Sequence, residues 1–183
     1  MTLGSHQKTV GKSQVHITPK RFLDRLGPFD FDPCAAVVRP WDCATVNFTE
    51  REDGLSQDWR GLGRGFLNPP YDRYVVPRWM SRFADHNRGI ALLHARTETD
   101  WFEVCWERAS GLLFLDDRIT FCKPDGTEHP ANSGAPAVLV SFGPSDLVCL
   151  RECGIAGRLI TQWDHVGVKP VPQLRLALAG GAW

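Results

Sequence analysis

Asn68-Pro69-Pro70-Tyr71 gathers two oxygen acceptors and an aromatic ring into four consecutive residues. The Asn68 side-chain oxygen and the Pro69 carbonyl, stiffened by two fixed proline φ angles, can accept both N–H bonds of a planar amine conjugated to an aromatic ring. That localises a nitrogen lone pair which is otherwise delocalised and weakly nucleophilic, and the amine can then attack an electrophilic methyl group. No strong general base is needed, because the proton becomes acidic once the nitrogen is alkylated. Tyr71 offers a stacking face worth roughly 1–3 kcal/mol per base, comparable to part of the few kcal/mol spent in drawing a base out of a duplex. A rigid turn with a packed tyrosine is the structural alternative.

Several charged and polar residues accompany this tetrapeptide. Asp32 ends the stretch Phe29-Asp30-Phe31-Asp32, just before Pro33. A carboxylate there can face a ligand ammonium or hydrogen-bond a ribose, or it can simply make a strand-end Asx turn. Glu50, eighteen residues later, sits where a ribose-binding acid is expected. Thr18-Pro19 reads as N-cap and first residue of a helix, whose N-terminus favours anions. Arg96 follows an apolar strand candidate and can offer a fork to a phosphate or a base edge, or pair with a surface acid. Arg64, Arg73, Arg78, Arg82 and Lys123 are the cations from which a basic rim for DNA could be assembled. Gly61-Leu62-Gly63-Arg64-Gly65 precedes a strand instead of following one, which argues against a phosphate loop.

The elements that must position these groups are short. After a polar arm over residues 1–17, Phe22, Leu23 and Leu26 fall on one face of a helix closed by Pro28. Strands are expected at residues 29–32, 44–48 and 65–67, the last stopped by the double proline. Residues 74–86 are amphipathic, with Val75, Trp79 and Phe83 on one face and Pro77 confined to the first turn. Residues 89–93 form an apolar run of buried-strand type. A helix capped by Thr99 then carries Trp101, Phe102, Cys105 and Trp106, with Trp59 and Trp101 expected in the core. Further strands are expected at 111–115, 119–122 and 136–142, with a turn over 123–127 and a last helix capped by Ser145. Helices alternating with apolar strands predict an α/β, three-layer, Rossmann-like domain over residues 18–169. Its sheet should be mostly parallel with an antiparallel edge hairpin, followed by a tail over 170–183. Ligands of such sheets bind beyond the strand C-termini, where the tetrapeptide falls.

Composition agrees with one globular domain: 183 residues, 43% hydrophobic and 23% charged, with seven Trp and ten Phe to fill a core. Twenty-one cations balance twenty-one anions, so any polyanion must be held by a local patch and not by the overall field. No stretch has the length of a signal peptide or membrane span, which predicts a cytoplasmic protein. The six cysteines contain no CxxC, and the one close pair, Cys149 and Cys153, has no histidine at finger spacing. They read as free thiols, and no metal is expected.

Taken in order, Ser5-His6-Gln7, Thr18-Pro19, Asp32-Pro33-Cys34-Ala35, Asp53-Gly54-Leu55, Asp58-Trp59, the Asn68 tetrapeptide, Ala95-Arg96-Thr97 and Gly134-Ala135-Pro136 resemble the small, phage-type DNA adenine methyltransferases. The resemblance runs over roughly residues 4–143. It implies S-adenosyl-L-methionine as cofactor, DNA as partner, and a bacterial or phage-infected cell as setting. It implies catalytic roles for Asn68, Pro69, Pro70 and Tyr71, and makes Asp32 the acid that anchors the methionine moiety, with Pro33 opening its loop. Asp53, fifteen residues before Asn68, matches the acid that receives the cofactor's adenine amine, with Glu50 as its competitor. Thr18 would contact the cofactor carboxylate, and His6 and Gln7 would close over the cofactor. Arg73, Arg96 and Lys123 would face DNA. The same tetrapeptide also serves methylation of RNA adenines and protein glutamines, and a non-catalytic DNA-binding protein that keeps the fold is a third reading.

Overall fold

A computed structural model describes residues 16–164. The chain forms helix α1 (Lys20–Leu26) and strands β1 (Phe31–Asp32), β2 (Val46–Asn47) and β3 (Gly65–Leu67), then helix α2 (Val76–His86) and strand β4 (Gly89–His94). A 3-10 turn (Asp100–Phe102) leads into α3 (Glu103–Arg108), followed by β5 (Gly111–Leu115), β6 (Ala137–Phe142), α4 (Pro144–Glu152) and β7 (Gly157–Ile160).

Among the described residues, all seven strands join one sheet in the order β2-β1-β3-β4-β6-β5-β7. The first four run parallel, so the C-terminal ends of β2, β1, β3 and β4 share one edge. The expected α/β fold is therefore present, and its antiparallel part is wider than an edge hairpin: β6 inserts between β4 and β5, and β7 extends the far side.

Alternation along the strands explains the three layers. On β4, Ala91 and Leu93 face a core built with α2 and α3 through Trp79, Met80, Phe83, Phe102 and Cys105. Ile90 and Leu92 face the opposite core, with Leu23 and Leu26 of α1 and Leu150 of α4. A strand covered on both faces reads as an unbroken apolar run, as residues 89–93 do. Trp59 and Trp101 are buried, as their apolar bulk predicts. The six cysteines are free.

Three local expectations differ. Pro19, not Thr18, occupies the cap position of α1, because the Thr18 hydroxyl is turned to Asn68 and no side chain caps that helix. Gly143 precedes α4, with Pro144 and Ser145 already inside it. Residues 119–122 make no strand, only isolated bridges from Cys122 to Ile17 and to Glu128. Arg64 and Arg82 are also removed from the basic rim. Arg64 ion-pairs with the buried Asp146 at 2.5 Å and lies 4.5 Å over Phe29, while Arg82 donates to the Leu55 and Gln57 carbonyls and covers Trp59. Short apolar packing claims both guanidinium stems, and their charge is spent on neighbours within the domain.

Candidate active site

Phe31 pairs with Gly65, and Leu67 with Ala91, so the last residues of β1, β3 and β4 reach the same edge of the sheet. Asp32 and Asn68 thus lie at the ends of adjacent parallel strands, the position at which such sheets take ligands.

Asp32 is buried, at 3% exposure. Its carboxylate accepts the Cys34 backbone N–H at 2.8 Å and receives the Cys43 thiol, which fixes the turn out of β1. The Asx turn and the ligand-facing acid are thus compatible readings of one residue. Burial pushes its pKa up to about 6, against the pull of those donors and of Arg39. The site is short of positive charge, and a cationic ligand would relieve it. Opposite Asp32 in register stands Asn47, at the end of β2. The Asn47 amide nitrogen donates to the Ala44 carbonyl at 2.7 Å, whereas its oxygen is buried without a donor among the described residues. Asn47 is a polar residue beside the candidate site that the sequence does not single out, since an Asn inside a two-residue strand leaves no pattern.

The turn after β2 carries Glu50 and Asp53, both exposed. Asp53 adopts a left-handed conformation with φ 48°. Gly54 beside it is pressed against the loop out of β1, since a Cβ there would stand 1.8 Å from the Pro33 carbonyl oxygen. The Gly54 carbonyl receives the Trp59 indole N–H at 2.9 Å. The approach of Gly54 to Pro33 brings Asp53 to the Asp32 loop, and the Ala35 N–H, donated to the Phe48 carbonyl at 2.8 Å, ties the segment before Glu50 to the same loop.

At the end of β3 the Asn68 amide donates to the His16 carbonyl at 2.9 Å and to the Thr18 hydroxyl at 3.3 Å. Its oxygen is left as the acceptor and takes the Tyr71 hydroxyl at 3.0 Å, which also lies 3.2 Å from the Leu92 carbonyl. No described donor meets the Pro69 carbonyl. The Tyr71 ring lies on His94 with centroids 3.8 Å apart and planes 6° from parallel, so one of its two faces is taken. His94, the last residue of β4, is held neutral: burial, Arg96 and His16 lower its pKa to about 4. The sequence offered no reason to single it out beyond its place at a strand end.

Arg96 and Arg73 are exposed at the same edge, Arg73 stacking on Tyr74. Lys123 opens the turn over residues 123–127, in which the Thr127 carbonyl accepts the Lys123 N–H at 2.8 Å and Gly126 takes φ 87°. Thr18 is buried beside Asn68. His6 and Gln7 fall outside the described residues. Among the described residues, no three metal-ligating side chains cluster, and no helix is long and apolar enough to cross a membrane.

The sequence model of the DNA N-6-adenine-methyltransferase (Dam) family matches residues 15–147, more than half of the chain. The chain belongs to that family. It is therefore a transferase that methylates N6 of adenine in DNA. Among curated proteins no sequence matches. The match covers β1 to β6 and so includes both strand ends described above.

Proposed function

We propose that this DNA adenine methyltransferase uses S-adenosyl-L-methionine, held between the ends of β1 and β2, and works on an adenine presented to Asn68 and Pro69. The donor set fits the cofactor: a buried carboxylate at Asp32, an orphaned buried oxygen at Asn47, and the turn at Asp53 locked onto Pro33. When bound, the cofactor would supply a methyl group on a sulfonium, whose sulfur departs as a neutral thioether in an in-line displacement.

Asp32 would balance positive charge on the cofactor, Asn47 Oδ1 would accept a hydrogen bond from one of its hydroxyl or amine groups, and Asp53 would accept one from its adenine amine. Asn68 Oδ1 and the Pro69 carbonyl hold the two protons of the substrate amine, and Tyr71 flanks the extruded base. Thr18 acts through Asn68: by taking one amide N–H it helps to keep the amide oxygen, not the nitrogen, directed to the acceptor role. Arg73, Arg96 and Lys123 supply cations to the DNA backbone. Rate enhancement comes mainly from alignment of amine and methyl carbon.

The observation that carries this reading is the adjacency of Asp32 and Asn68 on neighbouring parallel strand ends, one suited to a cation and the other to an amine. Labelled-methyl transfer from S-adenosyl-L-methionine to DNA, RNA and protein tests it. Label in DNA as N6-methyladenine is the expected result. Label only in RNA or in glutamine side chains would overturn it, as would an unchanged melting temperature at saturating cofactor, since a ligand at 100 times its Kd adds about 2.7 kcal/mol.

A further inference from the structure

Tyr74 follows the Asn68 tetrapeptide by three residues and is 69% exposed. Among the described residues no other Phe, Tyr or Trp is exposed. A single apolar side chain on a surface is ordinary, but this ring is held in a particular place. The Asp72 carboxylate accepts the Tyr74 N–H at 2.8 Å, and the Asp72 carbonyl accepts the Val75 and Val76 N–H groups at 3.0 and 2.9 Å. Asp72 donates its own N–H to the Pro70 carbonyl at 2.8 Å, which ties the loop back to the tetrapeptide. The Arg73 guanidinium lies over the Tyr74 ring, 4.4 Å from its centroid, and donates to its hydroxyl, so one ring face stays open.

Three residues reach at most about 11 Å along an extended chain, and bases of one strand follow each other at about 3.4 Å. Tyr74 therefore stands within the length of a few base steps of an amine engaged at Asn68. Extrusion of an adenine leaves a gap in which the flanking bases lose a stacking neighbour. A flat ring with a free face fills such a gap whatever the flanking sequence, because every base has a π-face. The cations around the loop suit the same partner. Helix α2 joins the end of β3 to the start of the parallel β4, so its first turn stands at the edge where β4 also ends. Arg73, Arg78 and Arg96 are exposed at that edge, and none of them ion-pairs with an acid among the described residues. Free cations draw in a phosphate backbone without reading sequence.

We propose that Tyr74 enters the base stack beside the extruded adenine, and so determines that this enzyme can take its adenine out of duplex DNA. The inference rests on the amine-binding role given above to Asn68 and Pro69. Tyr74 acts on extrusion and not on the reacting atoms, which makes it a positioning residue. Arg73, released from the Tyr74 hydroxyl, turns to a phosphate.

The test uses a site mapped by sequencing the wild-type product, in two duplexes: one with the adenine paired to thymine, the other with it facing an abasic position, where extrusion costs less. On the paired duplex Tyr74→Ala should lower kcat/KM about fivefold to a hundredfold, the worth of one stacked base, with cofactor Kd and melting temperature unchanged. On the abasic duplex the variant-to-wild-type ratio should return toward one. Tyr74→Phe, which keeps the ring, should recover most of the loss. A second measurement needs no turnover: 2-aminopurine in place of the target adenine should brighten on saturation with wild type, and less with Tyr74→Ala. Wild-type turnover by Tyr74→Ala, the same loss on both duplexes, or equal brightening would each overturn the inference and leave the function intact. Wild-type turnover by Asn68→Ala would instead refute the amine-binding reading beneath it.

Discussion

Asp32 and Asn68 end neighbouring strands of the same parallel half-sheet, yet they are prepared for their ligands in opposite ways. Asp32 is a buried acid whose donors, the Cys34 amide and the Cys43 thiol, fall short of its burial cost, and its pKa rises to about 6. Asn68 is neutral and its amide is fully engaged, with two acceptors for its N–H groups and one hydroxyl on its oxygen. The first corner stores unfavourable charge that a cationic ligand relieves; the second holds a dipole in one orientation, ready for an amine. Substitutions at the first should therefore act on affinity and at the second on the chemical step.

The largest effect should come from Asn68→Ala. If Asn68 is the acceptor of the reacting amine, as proposed, its removal should lower kcat by about 10²–10³, the scale on which losing one preorganised transition-state contact is felt. Cofactor affinity measured by calorimetry should stay within about twofold. A variant that loses cofactor binding and turnover together would erase the distinction between the two corners.

Asp32→Asn should do the reverse. A hydrogen bond to a charged group is worth about 1.5–3 kcal/mol, so cofactor Kd should rise about tenfold to a hundredfold. The sign of the pH dependence follows from the raised pKa. Between about pH 4 and 6 the folded protein keeps a proton that the unfolded chain has released, so Asp32 makes stability fall as pH rises through that window and then level off. Cofactor affinity should move the opposite way, strengthening as pH rises through about 6, because the cation prefers the ionised acid. Asp32→Asn should flatten both profiles, as followed by thermal melts and binding isotherms. Gly54→Ala should act through the same corner without touching charge. Its Cβ collides with the Pro33 carbonyl, a backbone atom, and the forced shift should cost about 1–3 kcal/mol of stability and weaken cofactor binding at every pH.

The apolar run of β4, the double proline after β3 and the amphipathic face of α2 were all legible in the sequence, since burial on two faces and the loss of ladder donors leave a local trace. Asn68 and Asp32 stand out in the sequence by their places at strand ends, whereas Asp53 stands out only through the resemblance to the methyltransferase family. What stayed hidden depends on contacts between distant segments. His16 meets Asn68 across 52 residues and Arg64 meets Asp146 across 82, and no local period encodes either. The strand β7 alternates over only four residues, too few to separate from a loop. The bridges of Cys122 to Ile17 and Glu128 replaced an expected strand, because a turn residue pairs here with the chain's N-terminal segment.

The smallest effect, and the sharpest test of how the Asn68 corner is held, should come from Tyr71→Phe. The substitution keeps the ring and its stack on His94 and removes only the hydroxyl shared between Asn68 Oδ1 and the Leu92 carbonyl. Burial pushes the Tyr71 pKa far up, so the hydroxyl is a neutral donor at any working pH. Losing it should cost about 1 kcal/mol of stability, read as a lowered melting temperature. Turnover should change by less than about fivefold, because Asn68 keeps His16 and Thr18 as anchors and its oxygen becomes freer to accept the substrate amine. A Tyr71→Phe enzyme as inactive as Asn68→Ala would instead make the hydroxyl, and not the amide anchors, the group that orients Asn68. The contrast drawn between a charge-storing corner and a dipole-holding one would then have to include Tyr71 as part of the dipole.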